Sequence, residues 1–413
     1  DVYKRQDIGV IISEPGFDPY ERDDGLHPNN WVKNYPTALS YNKWLNSLGY
    51  EGDNPWETWA NSSEGPNGEL LSGWKLRNSN KKARIKEEHS ETAYMTNRAI
   101  DFMKENTNEQ WMLHLSYIKP HWPYIAPAPY HNMYSPNQFY EVKRKEKEKN
   151  IEHEVYKAFT NAEVSKVFSR REVRESVITG YMGLIKQIDD NLGRLFEFMK
   201  TNKLFDNTMI VFTSDHGDYL GDHWLGEKEL FHEQSVRVPL IIYDPSETAN
   251  LTRGRREKKL VESIDLLPTF LEALSCSTST HRLEGNSLIP ILQDKPIKKW
   301  RESVFSEIDY SLHSARKELN LGPLDARAFM IRTEKWKYIY YKSFPPQLFD
   351  LENDPEEYSD LGQEKKYENI RNDLKDLLLK RLINRKNLLS VEEKFVLRGQ
   401  DVKSEGGVMI GVW

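Results

Sequence analysis

The chain is almost without cysteine: Cys276 is the only one in 413 residues. No internal disulfide can form, which fits a reducing compartment and fits a disulfide-free secreted protein equally well. No apolar run approaches the roughly 20 residues that a membrane-spanning helix needs, so the visible chain reads as soluble, with no membrane partner. An excess of either charge is small too. The formal net charge is -6, and the one long basic run, KRKEKEK at 143–149, alternates with acids. That balance argues against a nucleic-acid partner. There is no internal repeat and no low-complexity tract. Asp1 is not an initiator Met, and DVYKRQ lacks the apolar stretch of a signal peptide. The start reads as that of a fragment. The expected location is cytoplasmic, with a periplasmic or secreted one left open.

What is present changes along the chain. Residues 11–90 are rich in Asn, Gly, Pro and Trp, as in GDNPWETWANSSEGPNGELLSGW. Long loops of this kind are functional or disordered, and the aromatics favour an ordered, binding-competent cover. HSETAYMTNRAIDFMKEN predicts a helix with Ser90 as N-cap and an apolar face of Met95, Ala99, Phe102 and Met103. QWMLHLSYI predicts a buried strand that ends in the Pro-rich KPHWPYIAPAPYH. Residues 136–175 are charged and helical in composition, an excursion from the core. In ESVITGYMGLIKQIDDNLGRLFEFMKTN, Val177, Tyr181, Leu184, Ile188, Leu192, Leu195 and Met199 share one stripe. TMIVFTSDHG and VPLIIYDP read as strands of continuous apolar character, the kind found inside sheets covered on both faces. VESIDLLPTFLEAL is a helix with Ser263 or Asp265 near its first turn.

Strands alternating with helices predict an α/β fold with a mixed, mostly parallel central sheet sandwiched by helices. From about residue 300, ESVFSEIDY, ARAFMIRTE, WKYIYYKS and PQLFDLENDP are short strands at hairpin spacing, followed by a charged helix near 364–385. The expected division is an α/β domain over 1–295 and a smaller C-terminal subdomain with an antiparallel sheet over 296–413.

Ligands of open α/β sheets gather at the carboxyl ends of strands. Two predicted strands end in polar clusters there: Lys119 and His121 after HLSYI, and Asp215 and His216 after VFTS. A carboxylate and an imidazole on a chain turning at Gly217 suit Zn, Mn or Fe, and Ca or Mg less well. A solvated strand-end pair is the plain alternative. Lys228, in GEKELFHE, could neutralise an anionic ester as a second cation would, or be an ordinary surface lysine. His121, hemmed by Pro120 and Pro123, suits a general acid for a leaving oxygen, or a packed loop histidine. His223 and His232 read as supporting groups, Asp189 and Asp190 as caps or solvated acids, and Cys276 as incidental.

In chain order, HLSYIKPHWPYIAPAPYHNMYSP, FTSDHGDYLGDHWLGEKELFHEQSVRVPLII, SIDLLPTFLEAL, LEGNSLIPIL, WRESVFSEIDY and PQLFDLENDPEEYSDL resemble the sulfatases of the alkaline phosphatase superfamily. The Pro-His-x-Pro-aromatic turn is similar to that of the phosphonate monoester hydrolase branch. The resemblance runs from Ile8 to about Arg385. It implies a hydrolase of phosphonate monoesters, phosphodiesters and sulfate esters that uses a formylglycine nucleophile and one divalent metal ion (Mn, Ca, Mg or Zn). It implies Asp215 and His216 as metal ligands, Lys228 on the substrate oxyanion and His121 at the leaving group. The substrate is then a small anionic ester.

One departure stands out. The family's nucleophile lies in a Cys-x-Pro-Ser-Arg motif, which this chain lacks; CSTST at Cys276 has neither the Pro nor the Arg. The acidic ligands of the first strand are missing as well. The expectation is a fragment that is inactive by itself, from a parent that is a hydrolase. The rivals are an arylsulfatase, a two-metal phosphatase or phosphodiesterase, and a non-catalytic binding relic. Residues 136–175 and 386–413 are open to a homo-oligomer contact or a solvated surface.

Overall fold

The computed structural model describes residues 17–19, 21, 39–138, 141–277 and 281–386. The expectations for the first residues, for most of 11–38 and for the tail from 387 fall outside them. Contacts divide the chain into two compact units. The first holds 1–142, 163–205 and 220–226; the second holds 143–162, 206–219 and 227–413. The division therefore does not follow the expected boundary at 295.

The first unit begins, among the described residues, with α1 (Ser40–Ser47). A short hairpin follows, β1 (Ser62–Glu64) against β2 (Leu70–Ser72). The Trp-rich stretch is ordered because its aromatics make a core: Tyr41, Leu45, Trp56 and Ala60 pack with Ile85, Tyr94 and Ile125. Then comes α2 (Glu91–Glu105), where the Ser90 hydroxyl accepts the Ala93 N–H at 3.3 Å. This is the expected cap, which satisfies a donor the helix cannot. The buried face of α2 differs from the expected one: Ala93, Tyr94, Thr96, Ala99 and Met103 are covered, while Met95 and Phe102 are half-buried.

Past α3 (Glu154–Thr160), which belongs to the second unit, lie α4 (Glu163–Ser169) and the 31-residue α5 (Arg171–Thr201). Val177, Leu184, Leu195 and Met199 of its predicted stripe are buried. Helix α5 also receives a loop. A Cβ at Gly183 would lie 2.3 Å from the Tyr130 carbonyl oxygen, so only glycine lets that backbone rest on the helix. This close approach holds residues 124–130, just beyond His121, against α5. Asp190 is neither a cap nor simply solvated: it pairs with Lys186 and accepts the Tyr130 hydroxyl at 2.9 Å.

Residues 110–118 form none of the described strands. Their exposure alternates with period two, Trp111, Leu113, Leu115 and Tyr117 being half-buried and Met112, His114 and Ser116 open. The extended pattern is present, but no described strand lies alongside to complete a ladder.

The second unit contains β3 (Ile210–Thr213), α6 (Glu233–Val236) and β4 (Leu240–Tyr243). β3 and β4 pair antiparallel, with Phe212 opposite Ile241. Every ladder among the described strands is antiparallel, so the parallel part of the expected sheet is not among them. The β3–β4 ribbon also leaves Phe212 and Ile241 exposed rather than covered.

Helices α7 (Leu266–Ala273) and α8 (Ile289–Leu292) follow. Asp265, fully buried, accepts the N–H of Glu262 at 2.8 Å and of Asn286 at 2.7 Å and pairs with both arms of Arg301. It ties SIDLLPT to LEGNSL. The C-terminal sheet is the expected one: β5 (Val304–Asp309), β6 (Arg327–Arg332), β7 (Trp336–Tyr341) and β8 (Gln347–Asp350), antiparallel in sequence order. The short α9 (Ser314–Glu318) sits between β5 and β6, and α10 (Glu368–Ile383) lays Leu374 and Leu378 on Ile331, Tyr338 and Leu348. Each of those leucines contributes about 1.5–3 kcal/mol of burial.

Candidate active site

Asp215 and His216 stand at the end of β3, where the ladder stops at Thr213. The turn that carries them is tied from several sides. Ser214 Oγ donates to the His216 carbonyl at 2.6 Å, and the His216 N–H donates to Asp215 Oδ1 at 2.9 Å. The Gly217 N–H donates to the Ser235 carbonyl at 2.8 Å. A Cβ at Gly217 would lie 1.8 Å from the Gln234 carbonyl oxygen, so the approach to α6 requires glycine.

The Lys228 backbone is tied to the same serine. The Tyr219 N–H donates to the Glu227 carbonyl at 2.8 Å, and Ser235 Oγ donates to the Lys228 carbonyl. Ser235 thus holds the strand-end turn through its own carbonyl and the lysine loop through its hydroxyl. The Lys228 side chain is 11 % exposed, with Nζ 3.4 Å from Glu227 Oε2. Leu220, His223, Trp224, Glu227 and Leu230 all have positive φ. Left-handed backbone in non-glycine residues is costly, and it concentrates where a loop is over-determined by its contacts.

His216 Nδ1 donates to the Gly217 carbonyl at 2.7 Å. That fixes the tautomer and makes Nε2 the nitrogen that carries the lone pair. Asp215 Oδ2 lies 3.4 Å from His216 Nε2, and the carboxylate is 77 % exposed. Two donors bound to one cation at about 2.1 Å in tetrahedral geometry stand about 3.4 Å apart. Carboxylate and neutral imidazole at this spacing fit a single divalent ion. Among the described residues no three His, Cys, Asp or Glu converge on such a point.

His121 belongs to the first unit. Its N–H donates to the Ile118 carbonyl at 3.0 Å, and its Nδ1 donates to the Trp122 carbonyl at 2.8 Å. Its ring lies 4.2 Å from that of Trp122, which lies 5.0 Å from Trp74. The half-buried imidazole is held on its Nδ1 side, so Nε2 is the nitrogen that can exchange a proton with a ligand. His223 and His232 are buried, and His232 Nδ1 bonds the Tyr219 hydroxyl at 2.9 Å. Cys276 is exposed, and Sγ contacts only the Leu274 carbonyl among the bonds described. Neither its surroundings nor its sequence fits a formylglycine site.

Sequence reasoning misses Lys337. Its side chain is fully buried, and Nζ reaches Glu357 Oε1 at 2.6 Å, Glu233 Oε1 at 2.9 Å and the Phe231 carbonyl at 2.7 Å. Glu357 in turn accepts the Glu233 N–H at 2.7 Å. The segment between Lys228 and Ser235 is thereby pinned to β7. Burial lifts the Glu357 carboxyl above its usual range against the pull of Lys337. Burial pushes Glu233 the same way, but Lys337 and Arg332 outweigh it and hold that carboxyl below its usual range. A signal exists: Lys337 alternates with Ile339 and Tyr341 on one face of β7.

The model of the Sulfatase family matches residues 18–276, and that of the N-sulphoglucosamine sulphohydrolase C-terminal region matches 221–384. The multifunctional alkaline phosphatase superfamily protein PehA of Trinickia caryophylli is 35% identical over 303 residues, covering 70% of this chain and 58% of that protein. An arylsulfatase of Clostridium perfringens is 29% identical, covering 71% of this chain and 58% of its own length. The chain thus spans less than two thirds of these curated relatives. The solved phosphonate monoester hydrolase from Silicibacter pomeroyi superposes with a TM-score of 0.75 at 26% identity, covering 85% of this chain and 70% of that one. The enzyme of the same name from Agrobacterium radiobacter gives 0.71 at 24% identity, with 84% and 69% covered, and shares the fold.

Proposed function

The chain belongs to the sulfatase family of ester hydrolases, and on that premise we propose that it carries the metal, oxyanion and leaving-group residues of a hydrolase for phosphonate monoesters, phosphodiesters and sulfate esters. The observation that carries the reading is the Asp215–His216 pair, with its fixed tautomer and its spacing, tied through Ser235 to Lys228. Asp215 and His216 would hold one divalent cation, Mn, Ca, Mg or Zn. When bound, the cation supplies Lewis-acid neutralisation of the anionic ester.

The chain's own residues do the rest. Lys228 offers an ammonium at the end of a nearly buried stem, where Coulomb attraction is less screened than in water. It holds an anionic ester oxygen and stabilises the charge that grows there during displacement. In its imidazolium form His121 gives the Nε2 proton to the leaving oxygen and becomes the neutral Nδ1–H tautomer, its ring held by the bond from Nδ1. A sulfuryl and a phosphoryl group present similar oxygens to these residues, so both ester classes are accepted.

The nucleophile is a separate matter. No Cys-x-Pro-Ser-Arg motif is present, and no step is assigned to a formylglycine. This chain by itself is therefore expected not to turn over aryl phosphonate or aryl sulfate esters. Calorimetric titration with Mn²⁺ tests the cation site. We expect one ion per chain, with affinity lowered more than about tenfold in Asp215→Asn and in His216→Ala. Equal affinity in all three proteins, or turnover by the unmodified chain, would sink the corresponding half of the proposal.

A further inference from the structure

Lys119 is a buried cation that the chemistry above does not use. Its side chain is 4 % exposed, as is that of Glu91. Nζ donates to Asn61 Oδ1 at 2.6 Å and to the Pro123 carbonyl at 2.8 Å, and it pairs with Glu91 Oε1 at 3.2 Å. Two of the ammonium's three N–H donors are thus taken by neutral oxygens, and the carboxylate lies beside it as an ion pair. Glu91 is the first residue of α2, where the helix dipole favours a carboxylate, and its Oε2 accepts the Trp56 indole N–H. Asn61 is fixed in turn, with Nδ2 donating to the Trp56 carbonyl at 3.1 Å. All these residues belong to the first unit.

A buried ion pair is weak evidence of stabilisation, because desolvation offsets the attraction. A methionine of similar length would fill the same volume with no ammonium to desolvate. What the ammonium adds is a bond of specific direction. Residues 119–123 form a short loop, Lys-Pro-His-Trp-Pro, with His121 at its middle. Two of its five residues are prolines and have no backbone N–H to give. The Lys119 side chain supplies the missing donor by bonding the Pro123 carbonyl. It closes the loop from one end to the other around His121. The Pro123 carbonyl also accepts the Ile125 N–H at 2.9 Å, so the closure passes into the segment that rests on α5.

We propose that Lys119 is a positioning residue for His121: its ammonium clamps the 119–123 loop so that the imidazole keeps Nδ1 on the Trp122 carbonyl and Nε2 toward the ligand. The proposal rests on the reading of His121 as the leaving-group acid. It acts through that residue and touches no reacting atom.

The test uses this chain labelled with ¹⁵N-histidine, the His121 signals being assigned by loss in His121→Gln. Lys119→Met/Glu91→Gln removes both charges together, so no lone ion is left buried. Lys119→Gln/Glu91→Gln is equally neutral but keeps an amide donor for the Pro123 carbonyl. In the first variant the His121 ring nitrogens should leave the single Nδ1–H pattern for a tautomer mixture. Amide exchange at His121 should rise by about tenfold or more, while α5 amides and the other histidines keep their values. In the second variant the unmodified pattern should return. An unchanged His121 pattern in the first variant overturns the proposal. So does a general loss of protection in both variants, α5 included, which assigns Lys119 to stability alone. The role of His121 itself is judged separately: if replacing His121 in a relative that turns over esters leaves the dependence on leaving-group basicity unaltered, the acid role fails, whatever Lys119 does.

Discussion

Replacing Lys337 with methionine should destabilise the second unit more than most single changes. Lys337 is fully buried between Glu357, itself 1 % exposed, and Glu233, 16 % exposed. The methionine fills the stem's volume, so the loss is electrostatic. Glu357 then has no paired cation among the described residues, and Glu233 keeps Arg332 at 3.2 Å and the weaker pull of Arg237. Breaking a buried pair from one side costs about 3–5 kcal/mol. A typical domain has about 5–15 kcal/mol in total. With a urea slope near 2–3 kcal/mol/M, the midpoint should fall by roughly 1–2 M. The pH dependence has a definite sign. Burial already raises Glu357, and without Lys337 its folded pKa rises further above the unfolded one. Such a group's contribution is intact below the unfolded value, about 4.3, and is lost as pH rises through the folded value. The variant's deficit should therefore be smaller near about pH 5 than near about pH 8. Lys337→Met/Glu357→Gln, which removes both charges, should recover more than half of the deficit. Urea unfolding followed by fluorescence at the two pH values decides this. An unchanged midpoint, or a double variant no better than the single one, would refute the reasoning.

Gly217→Ala places a methyl against the Gln234 carbonyl, and backbone cannot yield as a flexible side chain does. The turn bearing His216 must move, and Mn²⁺ affinity in the same calorimetric titration should fall by about tenfold or more while the C-terminal sheet keeps its amide protection. His153 caps α3 through Nδ1, and its Nε2 donates to the Pro345 carbonyl at 2.8 Å. Burial holds its pKa below the usual value, against the carboxylates of Asp360 and Glu154. A depressed histidine stabilises the fold above its unfolded pKa, about 6.5, and the contribution is lost as pH falls through the folded value. Asp360 is raised by burial and titrates with the opposite sign, its contribution being lost as pH rises. The His153 share of the thermal midpoint should thus decline on acidification from about pH 7.5 to about pH 5.5, and His153→Gln should remove that share and change the slope accordingly; an equal slope in both proteins removes His153 from the account.

What can be read from sequence is local. The α5 stripe is a 3.6-residue pattern that buries itself wherever the helix is placed, and Val177, Leu184 and Leu195 are inside. Alternation marks β5 to β8 for the same reason, and Ser90 caps α2 because the cap lies within one turn. The departures are non-local. Residues 110–118 alternate correctly, yet a ladder needs a neighbour that no pattern within the segment can supply. The face of α2 departs from expectation at Met95 and Phe102 because packing partners, not composition, choose which side of a helix is covered. In the site, Asp215, His216 and Lys228 can be picked out by type and order. What joins them is Ser235, whose carbonyl holds Gly217 and whose hydroxyl holds Lys228, and nothing marks a serine in FHEQSVR as such a bridge. The two buried lysines show where this blindness can be reduced. Lys119 follows Tyr117 and Ile118, and Lys337 stands between Trp336 and Tyr338. In each case a cation adjoins apolar residues of strand character and its side chain is buried. Burying a cation is too costly to arise there without partners, so such a pattern predicts that distant oxygens must converge on it. Glu91 and the Pro123 carbonyl do so for Lys119, and Glu357 and the Phe231 carbonyl for Lys337. A lysine in such a setting is therefore a mark of tertiary closure written into the chain itself.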